Sequence, residues 1–211
     1  MIINKDTKLY CSFAKKAGGA GCAFHNAGFQ KHGINAIYKS FSVDDIGSAI
    51  SAMRSLNISG AGITMPYKSD VLNYVDNIPD VVKEVGAANT IVNNDGTLFA
   101  YNTDYFSVKD YLLELEIEEL IILGRGGFAK AVEYACNILG VKTEFITRKN
   151  WQDINDIKNS TVFNCTPIKN IYLHNSVRFI DCDVETPTGK NLADRQASYQ
   201  FKLYTGLEWP L

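Results

Sequence analysis

Apolar positions recur in two rhythms along this chain. Between residues 44 and 56, Ile46, Ile50 and Met53 fall four and three residues apart, the spacing that gathers side chains on one face of a helix. Ser42 is the expected N-cap of that helix. A second helical stretch is predicted over 23–32, where Gly33 stops it. Between these lie short β-rich runs at 37–41 and 62–65, the latter halted by Pro66. Strands at 90–92 and 98–101 flank Asn93-Asn94-Asp95-Gly96, whose Asp-Gly pair suits the positive φ angles of a tight hairpin. A helix over 105–115 then runs into a charged stretch. The second half repeats the alternation: a strand at 120–123, a glycine turn, a helix to Leu139 closed by Gly140, and strands at 143–147, 161–164 and 178–181. Strand and helix alternating in this way predict an α/β fold. The expected division is 1–104 as an N-terminal α/β substrate domain and 105–211 as a reduced Rossmann-type dinucleotide-binding domain.

Composition narrows the function classes more than the fold. The 211 residues are 46% hydrophobic and 21% charged, ordinary for a globular protein. A formal net charge of -2 gives no reason to expect nucleic acid or an anionic membrane as partner. No apolar run is long enough for a membrane span, and the first residues lack the apolar core of a signal peptide. Cys11, Cys22, Cys136, Cys165 and Cys182 are widely spaced with no C-x-x-C. His25, His32 and His174 form no paired ligand motif. The expectation is a cytoplasmic protein with free thiols, no metal, and a small molecule as its ligand.

The glycine turn is where that ligand chemistry begins. Gly124-Arg125-Gly126-Gly127-Phe128-Ala129 sits between an apolar strand and a helix, inside one βαβ unit. Such a turn brings backbone N–H groups to a pyrophosphate at the positive end of the helix dipole. Gly124 permits the tight turn, Gly126 removes a side chain where phosphate must approach, and Ala129 lets helix and strand pack closely. The next strand ends in Thr147-Arg148-Lys149 with no carboxylate at its tip. An NAD site usually carries Asp or Glu there for the ribose 2′-hydroxyl, whereas cations suit the 2′-phosphate of NADP. The plainer alternative is a solvated basic turn; with the glycines upstream, NADP is the expected cofactor.

Three polar segments adjoin apolar strands in the first half: Thr64-Met65-Pro66-Tyr67-Lys68, Gly86-Ala87-Ala88-Asn89-Thr90 and Tyr101-Asn102-Thr103-Asp104. In order and spacing they resemble the N-V-T-x-P-x-K, G-A-x-N-T and G-x-N-T-D blocks of the shikimate dehydrogenase family. His25-Asn26, the glycine turn, Thr147-Arg148 and Asn164-Cys165-Thr166-Pro167 fit the same family. The resemblance spans residues 1 to about 168 and is closest to the shikimate-dehydrogenase-like branch. It implies reversible hydride transfer between NADP(H) and shikimate, quinate or a related cyclic hydroxy acid, in the shikimate pathway of aromatic amino acid biosynthesis. It implies Lys68 and Asp104 as the catalytic pair, with Thr64, Asn89 and Asp104 binding substrate hydroxyls. It adds Thr166 to the cofactor residues Gly124, Gly126, Gly127, Ala129, Thr147, Arg148 and Lys149. Without the family, Lys68 reads as a surface lysine after a turn and Asp104 as an N-cap.

Two departures qualify this. Where the family carries a Ser-x-Ser pair for the substrate carboxylate, this chain has Gly19 and Gly21. Between Arg148 and Asn164 there is no room for the usual helix and strand, so the cofactor domain is expected to be abbreviated, and dimerisation offers one way to regain buried area. No counterpart is expected for the substrate-binding glutamine of the family's late helix. A weakly active or inactive relative with a binding or regulatory role is the alternative function.

Overall fold

A computed structural model describes residues 3–210, which divide into two compact units. One runs to Thr103 and takes in Ala197 onward; the other is Asp104–Gln196. The sequence-based division placed 197–210 with the cofactor domain. The structure returns that stretch to the first unit, because its aromatic side chains complete a core there.

The first unit is built on a five-stranded sheet of order β2-β1-β3-β4-β5, formed by β1 (Lys8–Ala14), β2 (Ala36–Ser42), β3 (Gly60–Ile63), β4 (Thr90–Asn94) and β5 (Thr97–Tyr101). The first three are parallel, and β4 and β5 run antiparallel to their neighbours. The crossovers are α1 (Ala20–Lys31) and α2 (Ile46–Ser55), with a short α3 (Asp80–Val85) before β4. Central strand β1 has no place in the sequence-based list. Its run Leu9-Tyr10-Cys11-Ser12-Phe13-Ala14 is covered on both faces, so it lacks a polar alternation to reveal it.

Alternation of side chains across β1 defines two cores. Cys11 and Phe13 join Ile50, Met53, Ile63, Val71, Ile91 and Leu98 on one face. Tyr10 joins Phe29, Tyr38, Phe201 and Tyr204 on the other, with Trp209 packed against them. Phe29 and Phe201 are fully buried, and truncating either to Ala costs about 3–5 kcal/mol. Gly28 of α1 makes this face possible: a Cβ there would run into the Trp209 ring and lie 2.6 Å from Phe201. The cap of α2 is Asp45, whose carboxylate accepts from Ser48 N at 2.5 Å. Ser42, the expected cap, ends β2 and accepts from Ala17 N instead. The hairpin forms as expected, with Asp95 and Gly96 both at positive φ.

The second unit carries an all-parallel four-stranded sheet of order β7-β6-β8-β9. Its strands are β6 (Glu119–Leu123), β7 (Lys142–Ile146), β8 (Thr161–Asn164) and β9 (Arg178–Asp181). Helix α4 (Thr103–Leu113) enters it, α5 (Gly127–Leu139) crosses from β6 to β7, and α6 (Pro187–Thr205) leaves it for the first unit. Between β7 and β8 a 3₁₀ turn (Trp151–Asp156) stands where the expected full helix and strand are missing. Ile154 and Ile157 from this stretch pack with Leu123, Ile146 and Val162, so the shortened connection still covers one face of the sheet.

Candidate active site

The end of β3 and the start of β4 are adjacent antiparallel strands, and this pairing gathers the polar segments of the first unit. Ile63 N donates to Asn89 O at 2.7 Å, and Ala88 N donates to Lys68 O at 2.7 Å. The turn after β3 is held at both ends. Thr64 N donates to Phe13 O at 3.1 Å, and the Tyr67 hydroxyl donates to Val43 O at 2.7 Å. Thr64 is exposed and Lys68 half-buried, so both side chains remain accessible on a pinned backbone.

Asn89 is 2% exposed and its amide orientation is determined by its partners. Thr103 N can only donate, and it points to Asn89 Oδ1 at 2.7 Å. Asn89 Nδ2 donates to Thr103 Oγ1 at 2.9 Å. Asn102 Nδ2 donates to Ala87 O at 2.8 Å, tying the same two segments again. Thr64, Lys68 and Asn89 are thus brought together by sheet pairing and loop hydrogen bonds. Asp104 is the next residue along the chain from Thr103. It is 4% exposed and lies in the first turn of α4, where the helix dipole favours a carboxylate. It is the second residue of α4, not the cap that an isolated reading of Asp104 expects, because the helix begins at Thr103.

The family's serine positions give no replacement hydroxyl. Gly19 precedes α1 with open space around it, while a Cβ on Gly21 lies 3.2 Å from the Tyr38 ring. Lys15, a candidate substitute cation, pairs with Asp44 at 2.6 Å.

In the second unit the cofactor candidates converge at the C-terminal edge of the parallel strands. β7 and β8 lie on opposite sides of β6, which makes the end of β6 the switch point where ligands bind in open α/β sheets. Gly124 takes φ +97°, and a Cβ there lies 2.8 Å from Thr166 Cγ2. Thr166 is fixed in turn: its N and Oγ1 both donate to Asn164 Oδ1, at 3.0 and 2.7 Å. Gly126 precedes α5 in an extended conformation, no side chain caps the helix, and a Cβ on Gly126 meets nothing within 4 Å. Ala129 is fully buried. Thr147 is held by Asn150 Oδ1, which accepts from its N at 2.9 Å, while Arg148 and Lys149 are exposed. Arg125 lies with its guanidinium 3.9 Å from the Phe145 ring centroid. An open backbone cradle before a 13-residue helix, with exposed cations at the tip of β7, fits a dinucleotide phosphate.

One polar residue at the site escaped the sequence-based reading. Helix α6 carries Gln200 back into the first unit, where it is 6% exposed among the buried polar groups. The signal was present: Ala197, Phe201 and Tyr204 are buried at helical spacing, and Gly206 follows the helix at φ +74°. No counterpart is expected for the family's substrate-binding glutamine; the structure shows a late helix that carries a buried glutamine. Among the described residues, no group of three His, Cys, Asp or Glu side chains is arranged to hold a metal. Nor is any helix among them long and apolar enough to cross a membrane.

Residues 20–91 match the family of the shikimate dehydrogenase substrate binding domain. The chain is 37% identical over 152 residues to a shikimate dehydrogenase-like protein of Haemophilus influenzae, covering 71% of this chain and 56% of the relative. It is 36% identical over 148 residues to the shikimate dehydrogenase (NADP(+)) of Pyrococcus abyssi, covering 69% of this chain and 49% of the relative. The aligned part thus spans about half the length of these curated relatives. A solved shikimate 5-dehydrogenase-like protein superposes with TM-score 0.84 at 29% identity, covering 100% of this chain and 95% of the other. With the substrate-domain motif, the glycine turn and these matches in agreement, the chain belongs to the shikimate dehydrogenase family.

Proposed function

We propose that the protein is an NADP-dependent oxidoreductase that interconverts a ring hydroxyl and a ketone on shikimate, quinate or a related cyclic hydroxy acid. The observation that carries this reading is the clamped Asn89 amide. It is tied to Lys68 by the Ala88 hydrogen bond and to Asp104 through Thr103. A buried, pre-oriented amide beside a lysine and a carboxylate is suited to a polyhydroxylated ring, because its orientation is already set before the ligand arrives.

NADP supplies or accepts the hydride when bound. Gly124, Gly126 and Gly127 would hold its pyrophosphate through backbone N–H groups, Ala129 and Thr166 shape the turn, and Thr147, Arg148 and Lys149 would receive the 2′-phosphate. Lys68 Nζ moves the proton: the ammonium gives it to the carbonyl oxygen in reduction, and the neutral amine removes it from the hydroxyl in oxidation. Asp104 orients that lysine and, with Thr64 and Asn89, binds substrate hydroxyls.

A second reading rests on Gly19 and Gly21, which offer no hydroxyls for a substrate carboxylate. A relative that binds such a ligand without turning it over is compatible with the same pocket. Reduction of NADP+ followed at 340 nm with shikimate and with quinate decides between them. Turnover that disappears in Lys68→Ala supports the dehydrogenase. NADP binding by calorimetry with no turnover on either polyol supports the binding relative.

A further inference from the structure

Five buried polar residues of the first unit, His25, Gln200, Thr90, Asn89 and Thr103, form one chain of hydrogen bonds, and its donors and acceptors can be assigned from chemistry alone. Gln200 faces the backbone carbonyl of Asn89 at 3.1 Å, and a carbonyl can only accept. The atom facing it is therefore the amide nitrogen. The same nitrogen donates to Thr90 Oγ1 at 2.9 Å, which commits both of its hydrogens. Since Thr90 Oγ1 accepts there, its own proton is directed onward to Asn89 Oδ1 at 3.0 Å. Asn89 Oδ1 also receives Thr103 N, and Asn89 Nδ2 donates to Thr103 Oγ1.

At the other end, Gln200 Oε1 is an acceptor, so His25 Nε2, 3.3 Å away, carries the proton. His25 is 1% exposed, stacked on Tyr38 with centroids 4.5 Å apart. Its Nδ1 has no hydrogen-bond partner among the described residues. The imidazole is thus held as the neutral Nε2–H tautomer, and its polar link runs into Gln200.

We propose that Gln200 is a positioning residue whose amide, oriented by His25, sets the Thr90 hydroxyl and through it reinforces the direction that Thr103 gives the Asn89 amide. This deepens the functional reading above and rests on its assignment of Asn89 to substrate hydroxyls. Without the Gln200 amide, Thr90 is released to donate elsewhere. Asn89 Oδ1 then keeps Thr103 N at 2.7 Å and Thr103 Oγ1 at 3.2 Å but loses its third donor, so its amide is held less tightly in the direction that a ring hydroxyl requires.

The test reads Asn89 directly. In 15N spectra of the full chain, Gln200→Met and Thr90→Val should each shift the Asn89 carboxamide pair and speed its exchange with solvent at least ~10-fold. Thr90→Ser, which keeps the hydroxyl, should reverse the Thr90→Val effect. In kinetics the same two variants should raise KM for the polyol by ~10-fold, with NADP affinity within ~2-fold of wild type. Their double variant should be no worse than the worse single. Thr90→Val leaves Gln200 in place and keeps the test open if Gln200→Met does not fold. An Asn89 carboxamide unmoved in either variant overturns the relay. A moved carboxamide in a protein that turns over no polyol upholds the relay and defeats the functional reading alone.

Discussion

The two units prepare for a ligand in opposite ways. In the first, the polar residues are buried and bonded to each other: Asn89, Thr90, Thr103 and Gln200 are each no more than 6% exposed. In the second, the candidate cofactor residues are a glycine turn with open space at Gly126 and exposed cations at Arg148 and Lys149. The ring hydroxyls of a cyclic hydroxy acid make hydrogen bonds that exchange almost evenly with water, so recognition of them depends on orientation settled in advance. A pyrophosphate brings its own charge, and uncapped backbone N–H groups with nearby cations suffice to hold it. Side-chain chemistry therefore concentrates in one unit and backbone shape in the other.

The largest effect expected from this contrast is on Lys68. Lys68→Ala should lower turnover at least ~100-fold while leaving NADP affinity little changed. Steady-state rates and calorimetry on the same variant check it, and an unchanged rate removes Lys68 from the chemistry. On the other side of the comparison, Gly124→Ala forces a side chain into φ +97° and against Thr166. A loss of about 1–3 kcal/mol in stability is expected, with NADP affinity weakened ~10-fold. Normal NADP titration in that variant contradicts a cofactor site made by backbone shape.

The buried network of the first unit should also leave a mark on stability. Burial lowers the His25 pKa from 6.5 to about 4, with the Gln200 hydrogen bond opposing in part. Between those values the unfolded chain binds a proton that the folded chain does not, so stability falls as pH drops from about 6.5 toward 4. His25→Phe removes this dependence. The wild-type loss of stability between pH 7.5 and pH 5 should exceed the variant's by about 2 kcal/mol in urea titrations. Equal losses would place His25 in water. The smallest effect belongs to the exposed cations: Arg148→Ala should weaken NADP several-fold, about 1 kcal/mol, and NAD less. Equal weakening of both cofactors undoes the 2′-phosphate assignment.

Much of this arrangement was legible from the chain alone, in a pattern that follows from burial. Elements with one wet face, such as α2 with Ile46, Ile50 and Met53, advertise their period. The Asp95-Gly96 hairpin and the Gly124 turn advertise their backbone. Strand β1 was hidden because both of its faces are covered. Helix α6 was missed for a different reason: much of its first half is polar or exposed, and its apolar signal begins only near Ala197. Gln200 lies in that late stretch, and nothing in a lone glutamine announces that its amide closes a hydrogen-bond chain with residues more than 100 positions away. The position of Asp45 rather than Ser42 as helix cap is a local misreading of the same kind, since either side chain suits an N-cap and only the backbone decides.

Helix α6 leaves the second unit and finishes in the first. The first unit is therefore discontinuous in the gene, and its aromatic face lacks Phe201, Tyr204 and Trp209 until those residues exist. On a ribosome, residues 3–103 emerge before the second unit, with a sheet that has one face clothed and the other bare. The intervening unit is synthesised while that face waits, and the polar chain through Gln200 closes only after the second unit has been made. The order of synthesis thus splits the first unit in two: its sheet is made before the second unit, and the aromatic side chains that close its second core are made after it.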